Sequence, residues 1–68
     1  MDSRIKEGTY VRVPLIGAHG HKFTAQAHVD EIDFDTAHVS IGGDKMTFRI
    51  TSVTHEPLEN VYPELFVK

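Results

Sequence analysis

The chain holds 68 residues with no cysteine and no tryptophan, and its 7 Lys and Arg face 10 Asp and Glu for a formal charge of −3. So short a chain reads as one domain over residues 1–68, with 1–7 as a flexible lead-in, and it buries only about 60% of its unfolded surface. Neither a disulfide nor a cysteine-based metal knuckle reinforces that core, and the lack of thiols suits a reducing compartment.

Met1 to Glu7 is too polar for the core of a signal peptide, and no apolar run approaches the roughly 18 residues of a membrane span. The expectation is a cytoplasmic protein without membrane contact. Val, Ile and Thr make up 18 of 68 residues against 3 Leu, and β-branched side chains pack well on a pleated surface, so the composition favours strands. No convincing amphipathic helix interrupts them.

Period-two alternation locates those strands. After the turn signal Glu7-Gly8, Thr9, Val11 and Val13 alternate with Tyr10 and Arg12, which predicts a first strand that ends before Pro14. A long loop over Pro14 to Lys22 follows. From Phe23 the apolar positions are Phe23, Ala25, Ala27 and Val29; the phase then flips to Ile32 and Phe34, which predicts a β-bulge near Asp30-Glu31 that bends a long second strand. Ala37, Val39 and Ile41 mark a third strand, Gly42-Gly43-Asp44 a hairpin turn, and Met46, Phe48 and Ile50 a fourth. Val53 is out of phase, so a further irregularity is expected at Thr51-Ser52. Glu56 to Pro63 is punctuated by proline and reads as a 3₁₀ turn, with Leu65-Phe66-Val67 as the closing strand.

This order resembles the SH3-like small β-barrel superfold, closer to its KOW and Tudor-like members than to signalling SH3 domains. The resemblance spans Gly8 to Val67. It rests on Gly8 to Val13 as the opening strand, on Ala27 to Asp33 running into Phe34 to Val39 as the central hairpin, and on Pro57 to Tyr62 as the turn before closure. It implies an all-β fold, a small five-stranded barrel with a long first loop and a short 3₁₀ turn before the last strand. An OB-like barrel competes, but it normally places a helix where Gly42-Gly43 leaves no space. The superfold hosts unrelated functions, and the acidic aromatic motif and tryptophan of proline-peptide readers are absent.

The five histidines are the compositional oddity. His19 and His21 flank a glycine in the first loop, while His28 and His38 fall on polar strand positions. If the bulge corrects the register, His38 lies across from Asp30 and His28 across from Ser40. Imidazoles ligate metals, yet no spacing here completes a three- or four-ligand site, so exposed histidines with no metal and no cofactor are expected. No nucleophile elbow, phosphate loop or dinucleotide fingerprint is present, and no catalytic residue is assigned. One enzymatic route is an oligomer with a site in a shared pore, as in the type II plasmid dihydrofolate reductases of the same superfold; their Val-Gln-Ile-Tyr motif has no counterpart here, and Gln26 between two alanines only faintly echoes it.

Interaction surface remains. Leu15 and Ile16 place apolar side chains on the first loop, and Tyr10 and Tyr62 can frame a groove beside it. Thr24, Gln26, His28, Ser40, Thr47 and Arg49 form a second, polar face. The expectation is a non-catalytic module that binds a protein or self-associates, of the kind found as free-standing small proteins in bacteria and on mobile elements. Nucleic-acid binding is the alternative, requiring Arg12, Lys22 and Arg49 to converge despite the acidic balance.

Overall fold

The computed structural model describes residues 3–66. Within them the alternating segments become β1 (Tyr10–Ile16), β2 (Lys22–Asp33), β3 (Thr36–Ile41), β4 (Asp44–Arg49) and β5 (Thr54–Glu56). They form one antiparallel five-stranded sheet in the order β4-β3-β2-β1-β5, so the fold is all-β as the composition predicts. Among the described residues no ladder joins β4 to β5. The hydrogen-bonded sheet is therefore open, where a closed barrel was the expectation.

Entry into the sheet is set by Gly8. Its φ of 85° is open to glycine at no steric cost. Gly8 N–H donates to the Val29 carbonyl at 2.9 Å while Val29 N–H donates to the Thr9 carbonyl at 2.8 Å, which makes Gly8 and Thr9 a glycine bulge opposite Val29. The same bonds fix the phase of the backbone. Odd residues of β1 and β2 bond to each other, and even residues point outward from that pair.

That phase explains the first departure from the sequence reading. β1 runs through Pro14 to Ile16, so the long loop shrinks to Gly17–His21 around a 3₁₀ turn at Ala18–Gly20. Pro14 is an even residue, and β5 pairs only with Tyr10, Val11 and Arg12. The ring nitrogen thus faces a free side of the sheet, where no ladder bond is lost.

The bulge in β2 falls between Val29 and Glu31, as the phase flip predicts. Asp30 is the extra residue. His28 lies across from Ser40 as expected, but His38 lies across from Glu31 rather than Asp30, because the unpaired residue drops out of the ladder. The two-residue turns Phe34-Asp35 and Gly42-Gly43 close the next two hairpins.

The end of the chain differs most. A 3₁₀ turn precedes the last strand, at Ile50–Ser52 where the phase breaks, and the last strand is Thr54–Glu56. Leu65 belongs instead to a 3₁₀ turn at Pro63–Leu65 after the one-turn helix α1 (Leu58–Val61); Phe66 is in no strand, and Val67 lies outside the described residues. Proline at 57 and 63 removes donors that a ladder would need, which is why this segment coils. No helix among the described residues is long and apolar enough to cross a membrane.

The core lies on one face of the sheet. Val11, Val13, Ala27, Val29, Ala37 and Val39 point into it and are joined by Ile50, Val53 and Ile5. Ile5 is only 7% exposed although it lies in the stretch expected to be flexible. Its neighbours Lys6 and Thr9 close a turn through bonds in both directions, Lys6 N–H to Thr9 Oγ1 and Thr9 Oγ1 to the Lys6 carbonyl.

Candidate functional site

The opposite face carries the polar groups. Residues directly across a ladder share a face, so Glu56, Tyr10, His28, Ser40 and Lys45 form one row that crosses all five strands. Arg12 and Gln26 flank it on one side, and Glu31, His38 and Thr47 on the other. Thr24, Gln26, His28, Ser40, Thr47 and Arg49 do share this face.

The centre of the row is a connected network. Asp30 Oδ1 accepts from His28 Nδ1 at 2.8 Å and from Ser40 Oγ at 3.2 Å. The bulge gives Asp30 this role: freed from the ladder, its side chain turns toward His28 and Ser40, which face each other two positions earlier. The bond from His28 is the main cause that holds the Asp30 carboxyl below the ordinary aspartate range. It also pins the proton of a neutral imidazole on Nδ1 and leaves Nε2 as an acceptor. Ser40 spends its proton on Asp30 rather than on the imidazole, so the three groups form a lock around a carboxylate, not a nucleophile with its base.

Tyrosine rings extend the network. Tyr10 meets His28 edge-on, with centroids 5.2 Å apart at 72°, and meets Tyr62 at 6.2 Å and 90°. The two tyrosine hydroxyls are 3.2 Å apart, and this bond is the main cause that raises the Tyr10 pKa. Tyr62 arrives because the coil after β5 folds back over the sheet. Glu56 anchors that return: it is 4% exposed, with Oε2 2.7 Å from Arg12 Nε and Oε1 accepting from Asn60 Nδ2 at 3.1 Å.

The other expected residues sit elsewhere. Leu15 and Ile16 are strand residues that line an apolar groove of about 480 Å³ with Pro14, Lys22, Phe23 and Thr24. His19 and His21 lie on the hairpin tip, with His21 stacked on Phe23 at 6.2 Å. His38 borders a depression of about 310 Å³ beside the bulge, together with Asp30, Glu31 and Lys45. Among the described residues no three His, Asp or Glu side chains gather as metal ligands. Arg49 Nη1 is 3.6 Å from Asp35 Oδ2. By register Arg12 lies beside Gln26 and Arg49 in the row of Asp33, seven residues farther along β2. Asp30 takes no place in the ladder, so the two rows are six steps apart, roughly 20 Å, and each arginine has a carboxylate beside it.

Tyr10, His28, Ser40 and Tyr62 are legible in the sequence, whereas Asp30 and Glu56 are not marked there as parts of one site. The signal for Ser40 was present in the hairpin register; the buried Glu56 leaves no pattern in a three-residue polar strand. No family model, no curated protein and no solved structure matches the chain.

Proposed function

We propose that this chain is a small non-catalytic interaction module of the SH3-like class that binds a protein partner through the face around Tyr10, His28, Asp30, Ser40 and Tyr62. The observation that carries the reading is the network itself. It holds two tyrosines, an imidazole and a carboxylate in place at the surface by bonds among themselves, so a partner meets groups whose side-chain entropy is already spent. Tyrosine offers apolar area and a hydroxyl together, the combination that anchors protein interfaces. The strand order, the bulged second strand and the 3₁₀ turn before β5 support the SH3-like assignment.

Nucleic-acid binding finds less support, since phosphate contacts need clustered cations and Arg12 and Arg49 each neighbour a carboxylate. Site-specific photo-crosslinking tests the reading. A crosslinking residue at Gln26 is expected to capture a protein in cells, and excess native chain is expected to compete the adduct away while the Tyr10→Ala variant does not. No competed adduct, or equal competition by both, overturns it.

A further inference from the structure

The β1–β2 hairpin outruns the sheet. β5 pairs β1 only at Tyr10–Arg12, and β3 pairs β2 only from His28 onward. Pro14 to Ile16 and Lys22 to Thr24 therefore form a two-stranded arm, a unit that is marginal by itself in water. Even residues of β2 direct their backbone groups away from β1. Those of Lys22 and Thr24 thus meet no ladder partner among the described residues. Gln26 is sheltered differently, because extending the register places Ile41 across from Ala27 and the Gly42-Gly43 turn next to Gln26. The arm also carries Ile16 at 73% and Phe23 at 42% exposure, while the largest fully buried side chains are valines.

We propose that a second copy of this chain docks antiparallel on the free β2 edge from Lys22 to Thr24, joining the two sheets across a two-fold axis at Phe23. Backbone phase selects this register. Lys22 and the second copy's Thr24 both point their N–H and C=O groups at each other and form a hydrogen-bonded pair, repeated by symmetry. Phe23 then faces the second copy's Phe23 in the closer, non-hydrogen-bonded pair, with Leu15 beside each ring. No like charges oppose one another, since each Lys22 meets a threonine. The edge is self-complementary: its two outward-facing residues, Lys22 and Thr24, pair with each other across the axis, and the Phe23 ring, 42% exposed in the single chain, is covered by its symmetry mate. This edge lies apart from the tyrosine and histidine network, so it goes beyond the partner-binding reading and stands without it.

Sedimentation equilibrium over a concentration series tests the dimer. The expected mass is twice the 7.7 kDa of the chain. Thr24→Lys sets like charges opposite each other twice and is expected to weaken the dimer by about tenfold at low salt, while Thr24→Glu, facing Lys22, strengthens it. Phe23→Cys reads the register directly, because the chain has no other thiol and the facing Cα atoms would lie about 4.5 Å apart, within disulfide reach. Mild oxidation is expected to give a covalent dimer of Phe23→Cys and none of Thr47→Cys. Circular dichroism on each variant separates lost dimer from lost fold, and the crosslink decides if the Thr24 variants do not fold. A single-chain mass at every soluble concentration, or a dimer that ignores both Thr24 changes and does not crosslink at position 23, overturns the proposal.

Discussion

Asp30 shows how one residue outside the ladder organises its neighbours. Its carboxylate accepts from His28 and Ser40, and its pKa is lowered in the folded state. In the unfolded chain an aspartate titrates near 3.9. Between that value and the lower folded one, the unfolded chain binds more protons, so stability falls as pH falls through this window and is fully present above it. The Asp30→Asn variant is expected to show a shallower drop of thermal midpoint below about pH 4; equal acid slopes in both proteins refute the assignment. Phe34 carries the opposite lesson. It has a φ of 57° and is 89% exposed, so an aromatic side chain bears left-handed strain without packing in return. Asparagine tolerates that conformation, and Phe34→Asn is expected to raise stability by about 0.5 kcal/mol in denaturant titration with an unchanged slope.

At the scale of elements, the short strand β5 depends on its side chains more than on its length. Three residues form a weak ladder, and the carboxylate of Glu56 is held between Arg12 and Asn60 at 4% exposure. Arg12→Ala leaves that buried charge short of its partner and is expected to cost about 2 kcal/mol, moderated because Arg12 is itself partly exposed. Adding Glu56→Gln to Arg12→Ala is expected to recover part of the loss, since a neutral amide tolerates burial better. If the double variant is no more stable than the single one, the ion pair is not what holds β5. The bulge in β2 and both hairpin turns were legible because each leaves a mark in local alternation or in glycine placement. Pro14 was misleading, because a proline forbids a ladder bond only on the side its nitrogen faces, and that side becomes known only when the neighbouring strand is placed.

For the molecule as a whole, the distribution of apolar residues matters most. The core is assembled from valine, alanine and a few isoleucines, while Ile16, Phe34, Leu58, Leu65 and Phe66 are each more than half exposed. A thin core with large side chains outside it is what a small open sheet leaves over, and the exposed Ile16 puts part of that surplus on the β1–β2 arm, where the dimer is proposed. The sequence by itself determined the strand content, the bulge, the hairpins and the polar face, because period-two patterning is a local property of the chain. Only the tertiary structure decided which segment closes the sheet, that Ile5 joins the core, and that Asp30, Ser40 and Tyr62 meet around His28 and Tyr10. Those outcomes depend on pairings between distant segments, where a three-residue polar strand or a proline-rich coil has no periodicity of its own to announce its place.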